Sequence, residues 1–186
     1  IRDPYILPHD GKYYLYGTRS DTCWGKAEGF DCYVSSDLDD WEGPFEIFKR
    51  EEDFFADQNF WAPECYYYGG EFCLLATLGN EEKGKSINLL KSDSPTGPFR
   101  YVSAITADGD QAIDGTLYIE NGQLWMVYSH SFENGGDGEM FAVKLTDDLS
   151  AMADEPFILF KAPDASWARP VPWAKEEFGM DGDVYF

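Results

Sequence analysis

The 186-residue sequence is poor in basic side chains and has no long apolar run. Its 14 lysines and arginines stand against 35 aspartates and glutamates, which gives a formal net charge of −21. Such a charge repels nucleic acid and anionic membrane surfaces, so neither is expected as a partner. No stretch approaches the roughly 18 apolar residues that a membrane helix needs. A neutral ligand such as a sugar would not be repelled.

Cysteine is also scarce. The four cysteines are Cys23, Cys32, Cys65 and Cys73. No C-x-x-C pair is present, so a zinc site is not expected. A two-residue hairpin at Gly69-Gly70 would put Cys65 and Cys73 on opposite sheet faces, where they cannot form a disulfide. Cys23 and Cys32 either pair across a loop or stay free, and the cellular compartment remains open.

Helical periodicity is the third absence, since no window combines a 3.6-residue period with helix caps. The sequence has instead an aromatic share of 17%, together with 18 glycines and 10 prolines. Runs rich in Tyr, Phe, Leu and Val favour strands, and Gly and Pro favour turns. We therefore expect an all-β protein.

An internal repeat organises these strands. The segments 10–18, 69–77 and 121–129 each contain a turn dipeptide ending in glycine, one polar residue, an apolar run, and then Ser or Thr. The turn glycines at positions 11, 70 and 122 are 59 and 52 residues apart. The pairs Asp10-Gly11 and Asn121-Gly122 favour type I′ turns, in which both central residues take positive φ.

A second marker keeps nearly the same period. Phe45, Phe99 and Phe157 each follow a proline and are 54 and 58 residues apart. A repeating unit of about 50 residues with four strands is typical of one β-propeller blade. A β-sandwich with coincidental turns is the alternative, and two markers in phase argue against it.

The repeat predicts the domain organisation. We expect blade one over about 1–55, blade two over 56–108, blade three over 109–175, and the start of blade four over 176–186. The chain begins at Ile1 and ends on what looks like a strand that has only begun, so we expect both ends to be cut.

Acidic residues recur at one position of the repeat. Counting back eight residues from each turn glycine gives Asp3, Ala62 and Asp114, and a further copy follows at Asp181. In a propeller the first strand of each blade lies nearest the central channel, so these positions surround one axis. A single aspartate beside Pro or Gly is ordinary turn chemistry. Aligned carboxyl groups instead raise one another's pKa, and a pair of them is what glycoside hydrolysis requires.

At these residues the sequence resembles glycoside hydrolase family 43 over nearly its whole length. The resemblance is carried by Arg2-Asp3-Pro4, by the Trp-Ala-Pro-Glu signature at Trp61-Ala62-Pro63-Glu64, and by Ile113-Asp114-Gly115. It implies a β-propeller of the five-bladed type, of which this chain holds about three blades and the start of a fourth.

The resemblance also implies an inverting hydrolase. Asp3 would be the general base, and Asp114 would tune the pKa of the acid and orient it. The family's general acid is usually a Glu in a Glu-Gly-Pro motif, and here that place is occupied by Asp181-Gly182-Asp183. Three readings follow: Asp181 is the acid, the acid lies elsewhere, or the role has been lost.

Three further residues are candidates for contact with substrate. Trp61 is predicted to stack on a sugar or to belong to the core, Glu64 shares a strand face with the axial position, and His130 ends an inner strand. No metal ligands are predicted in this chain. The resemblance allows a structural calcium in the complete propeller, held by a later blade.

Three functions remain open at this point. The first is a hydrolase of arabinose- or xylose-containing plant polysaccharides or oligosaccharides. The second is a carbohydrate-binding propeller without activity, favoured by Asp181 in the place of Glu. The third, a retaining relative acting on fructans, would carry its nucleophile in a different first-blade motif.

Overall fold

The computed structural model describes residues 1–130, 138–179 and 183–185. Within them, twelve strands form three four-stranded antiparallel sheets. The first sheet contains β1 (Arg2–His9), β2 (Lys12–Thr18), β3 (Gly29–Ser35) and β4 (Glu42–Lys49). The second contains β5 (Gln58–Tyr68), β6 (Glu71–Asn80), β7 (Gly84–Ser92) and β8 (Arg100–Ala104). The third contains β9 (Ala112–Glu120), β10 (Gln123–His130), β11 (Glu139–Lys144) and β12 (Phe157–Lys161).

The three sheets are arranged as propeller blades. Each is built from four consecutive strands in simple up-and-down order. The innermost strand β5 packs against β1, β2 and β3, and β9 packs in the same way against β5, β6 and β7. The strands β1, β5 and β9 therefore lie side by side at the centre. The expected fold class is confirmed, and the described sheets do not close into a ring.

The hairpin predictions are confirmed in detail. Both residues of Asp10-Gly11 have positive φ, 46° and 73°, and those of Asn121-Gly122 have 52° and 79°. In the second hairpin Cys65 pairs with Leu74, so Cys65 and Cys73 lie on opposite faces. All four cysteines are free and buried.

Two hydrophobic clusters fill the spaces between neighbouring blades. Tyr16 and Leu74 belong to the cluster between blades one and two, whereas Leu75 and Met126 belong to the cluster between blades two and three. Successive residues of β6 point to opposite faces, so blade two is buried on both sides. This explains why β6 is a nearly continuous apolar run rather than an alternating one.

Helix is confined to two short turns among the described residues, a 3-10 turn at Ala162–Asp164 and α1 at Ala174–Phe178. Helix α1 was not expected, because a five-residue helix is too short to show a period. It ends at Gly179, whose φ of 64° is the usual left-handed helix stop. Neither of these segments is long and apolar enough to cross a membrane.

Candidate active site

The innermost strand of each blade carries the same backbone irregularity. Two residues oppose a single residue of the neighbouring strand at Asp3-Pro4 in β1, Ala62-Pro63 in β5 and Asp114-Gly115 in β9. The φ angles of Asp3, Ala62 and Asp114 are 49°, 42° and 57°. Positive φ is uncommon outside glycine, and a bulge of this kind re-aims a side chain out of the regular pleat. The repeat thus produces one local geometry three times around the axis.

Two of these side chains face a common cavity of about 880 Å³. Asp3 of blade one and Asp114 of blade three both line it, together with Trp61 of blade two. The equivalent position of blade two holds Ala62, which has no carboxyl group and does not line this cavity. The structure therefore brings together Asp3, Asp114 and Trp61, three of the six predicted site residues.

The carboxylate of Asp3 is held by Thr18, the last residue of β2. The Thr18 hydroxyl donates to Asp3 Oδ2 at 2.6 Å and accepts the backbone N–H of Ala62 at 2.9 Å. Asp3 Oδ1 has no hydrogen-bond partner within the described part of the chain. One oxygen is therefore anchored, and the other is available to a ligand or a water molecule.

Asp114 has a different environment. Its backbone N–H donates to Thr77 Oγ1 at 3.1 Å, which repeats the bond between Ala62 and Thr18 one blade earlier. By its accessible surface Asp114 is an exposed residue at the cavity, but the protein atoms around its carboxyl group partly desolvate it. This desolvation raises its pKa to about 6, and repulsion from Asp3 and Glu64 adds to the effect. The positive charge of Lys85 acts in the opposite direction.

Trp61 is fixed as part of the cavity wall. Its indole N–H donates to the carbonyl oxygen of Cys23 at 2.6 Å, and Trp24 meets it edge-on with ring centroids 5.5 Å apart. The Lys85 ammonium lies over the Trp61 ring, 5.5 Å from its centroid. The Trp24 side chain is itself 78% exposed at the rim. Indoles presented in this way suit the apolar faces of sugar rings.

Glu64 and His130 do not line this cavity. Glu64 accepts hydrogen bonds from Tyr66 and, at 3.0 Å, from Thr116, so it joins blade two to blade three. His130 lies 3.5 Å from a carboxylate oxygen of Asp110, and its ring packs against Phe141 with centroids 4.2 Å apart and the planes tilted by 37°. Their predicted contact with substrate stays a prediction that this geometry does not favour.

The remaining predictions concern residues beyond the described part. Asp181, the predicted third carboxylate, lies outside the described residues. Within residues 1–130, 138–179 and 183–185, no three His, Cys, Asp or Glu side chains are grouped to hold a metal ion. A structural calcium therefore remains a prediction for the complete propeller.

The cavity residues that sequence reasoning missed include Thr18, Trp24 and Lys85. Thr18 carried a visible signal, because Ser or Thr ends every copy of the repeat. Trp24 and Lys85 carried none, since they come from a loop and from the start of β7, at positions that the repeat does not mark.

A propeller whose inner strands direct two carboxyl groups, one with a raised pKa, into a cavity walled by indoles has the features of a glycosidase site. The sequence profile of the glycosyl hydrolases of family 43 matches residues 1–185. The chain belongs to this family.

Solved structures are consistent with that membership. The endo-arabinase of Bacteroides thetaiotaomicron is 32% identical, with a TM-score of 0.84 over 99% of this chain and 61% of that protein. The arabinanase of Bacillus subtilis is 22% identical, with a TM-score of 0.68 over 84% of this chain and 55% of its own. A family 43 β-1,3-galactosidase is 20% identical, with a TM-score of 0.71 over 86% of this chain and 61% of its own. The likeness to the arabinanase and to the galactosidase shows the fold alone, because their sequence identities are only 22% and 20%.

No curated protein sequence matches the chain. The chain spans about 61% of the endo-arabinase and 55% of the arabinanase described above.

Proposed function

We propose that this chain contributes the general base and a second carboxylate to the site of an inverting glycoside hydrolase. Its substrates are arabinose- or xylose-containing plant polysaccharides or oligosaccharides. The observation that carries the proposal is the placement of Asp3 and Asp114, from different blades, on one cavity. The 32% identity to an endo-arabinase over 99% of the chain makes arabinan the first substrate to test.

Asp3 acts as the base in this proposal. In an inverting enzyme a carboxylate removes a proton from water while the water attacks the anomeric carbon. Thr18 holds Oδ2 of Asp3, so the opposite oxygen is the one that meets the water. The proton leaves the water for this oxygen as the new bond to carbon forms.

Asp114 acts on the proton donor. With its pKa raised to about 6, it becomes negatively charged as the pH approaches neutrality. A negative charge near a second carboxyl group raises that group's pKa and so keeps its proton available. The proposed recipient of this effect is Asp181, which protonates the leaving oxygen.

The test compares the full-length protein with its Asp3→Asn variant. Because the amide keeps the shape but cannot accept the proton of water, kcat should fall about 10²- to 10⁴-fold. Rates are measured on arabinan and on aryl arabinofuranosides and xylosides, and oligosaccharide affinity by calorimetry should stay nearly unchanged. Asp10→Asn, the same change in an exposed turn of blade one, is the control and should retain the full rate.

Two results would change the conclusion. If Asp3→Asn kept its rate, the base would have to be another group. If the unaltered protein bound oligosaccharides but hydrolysed none of a broad panel, the chain would belong to a carbohydrate-binding propeller, and Asp181 in the place of Glu would be the reason.

A further inference from the structure

Thr18 is a buried residue whose hydroxyl connects the proposed base, Asp3, to the neighbouring blade. Its side chain is buried, with 1% of its surface exposed, and its hydroxyl has two partners on two blades. A hydroxyl carries one proton and two lone pairs. Because the N–H of Ala62 occupies a lone pair, the proton is directed to Asp3 Oδ2. The two bonds together fix the direction of the hydroxyl.

Asp3 depends on external support. It lies on a bulge with a φ of 49°, in a strand whose surface is largely exposed at this end. Residues in this region of φ are strained and persist only where their surroundings hold them. The bond to Thr18 is the one hydrogen bond that the described residues make to this carboxylate.

Comparison with blade two shows which of the two hydrogen bonds of Thr18 belongs to the repeat and which is particular to Asp3. Thr77 is the equivalent of Thr18, and it likewise accepts the backbone N–H of the next axial residue, Asp114. The axial residue of its own blade is Ala62, which offers no acceptor. The backbone bond is therefore made at both junctions between the three described blades, whereas the bond to a carboxylate is made by Thr18.

We propose that Thr18 is a positioning residue for Asp3, which holds the carboxylate in register with the backbone of blade two. This inference rests on the proposed role of Asp3 as the base. Since the same hydroxyl also accepts the backbone N–H of Ala62, it ties the direction of the base to the backbone of blade two, next to Trp61 of the cavity wall. A displaced base would leave binding intact but would meet the water in the wrong place.

The first experiment removes the hydroxyl and keeps the shape. In the full-length protein, Thr18→Val should lower kcat about 10- to 100-fold with little change in KM, because misplacement of a catalytic group by about 1 Å has effects of this size. Thr18→Ser restores the hydroxyl and should recover most of the rate. Should Thr18→Val fail to fold, Thr18→Cys gives the same comparison, because a thiol is a weak donor.

A matched control is available within blade two. Thr106 is also buried, with 2% of its surface exposed, and its hydroxyl accepts the backbone N–H of Ile87 at 2.9 Å. It does not line the cavity. Thr106→Val should therefore cost stability in the same way while leaving kcat unchanged.

A double variant distinguishes positioning from general loosening of the blade. If Thr18 acts through the Asp3 carboxylate, adding Thr18→Val to Asp3→Asn should not lower the residual rate further. A further loss by the same factor, or full activity of Thr18→Val alone, would overturn the proposal. Absence of hydrolysis by the unaltered protein would instead overturn the proposed function and this inference with it, so the two failures are distinguishable.

Discussion

At the scale of single residues, two aspartates in the same backbone geometry acquire different properties from their surroundings. Asp3 accepts a hydrogen bond from the Thr18 hydroxyl, which anchors one of its two carboxylate oxygens. The pKa of Asp114 is raised to about 6, chiefly because burial disfavours its charge. When two carboxyl groups of one site have different surroundings, they can take different acid–base roles.

The raised pKa of Asp114 predicts a pH-dependent stability. An unfolded aspartate has a pKa of about 3.9, so between about pH 4 and pH 6 the folded state holds a proton that the unfolded state has lost. The contribution of Asp114 to the free energy of unfolding is fully present below pH 4 and is lost as the pH rises through 6. Asp114→Asn cannot ionise, so its melting temperature relative to the unaltered protein should rise from pH 4 to pH 7.

Asp148 provides a control of opposite sign for this measurement. Hydrogen bonds from Ser150 and Thr146 lower its pKa to about 2, so its contribution is present above about pH 4 and is lost in acid. Asp148→Asn should therefore melt below the unaltered protein at neutral pH, and the difference should shrink in acid. If the melting temperatures of both variants showed the same pH trend, the opposite pKa shifts of Asp114 and Asp148 would be contradicted.

At the scale of elements, the turns and bulges determine where the inner strands aim their side chains. The hairpin turns set the register of the first two strands of each blade, and the bulge eight residues before each turn glycine turns one side chain toward the axis. The outer strands are positioned by close contact. Gly29 in β3 lies so near β4 that an added Cβ would overlap the carbonyl oxygen of Phe48.

This contact predicts a large effect for a small substitution. Gly29→Ala should destabilise the protein by at least about 1–3 kcal/mol, because the overlapping atom belongs to the backbone and cannot rotate away. Gly25→Ala is the matched control, since an added Cβ there meets nothing within 4 Å. Denaturant unfolding measures the free energy of unfolding of both variants. Equal values for the two would show that β3 and β4 can separate at little cost.

At the scale of the whole molecule, the site exists only where blades meet. Asp3, Trp61 and Asp114 come from three different sheets, and the cavity also receives Trp173 and Glu177 from the segment that follows β12. The proton donor that hydrolysis requires is assigned by proposal to Asp181. In an inverting enzyme it should lie about 6.5–9.5 Å from the base.

Asp181→Asn tests that assignment through the leaving group. Substrates with poor leaving groups depend on proton donation and should lose the most kcat, by a factor within about 10²–10⁴. Activated aryl glycosides need little protonation and should be partly spared. The measurement is kcat on both substrate types in the full-length protein, and an equal loss on both would argue that Asp181 is not the acid.

Much of this arrangement could be predicted from the sequence because it is local and repeated. Turn dipeptides such as Asp10-Gly11 require particular φ angles, and hairpin register follows from the turn, so strand pairing and the opposite faces of Cys65 and Cys73 were accessible. The repeat then placed Asp3 and Asp114 at equivalent points, which predicted that they share an axis.

The tertiary structure decided what depends on contact between distant segments. Ser or Thr at the end of each repeat was visible, but its bond across to the next blade appears only when the blades pack. The side chains of Trp24 and Lys85 reach the cavity from positions that the repeat does not mark. Glu64 does not line the cavity but accepts hydrogen bonds from Tyr66 and Thr116. Local periodicity thus determined the strands and the axis, whereas the environment of each carboxylate was set by residues far apart in the chain, because solvation and hydrogen bonding depend on distance in space.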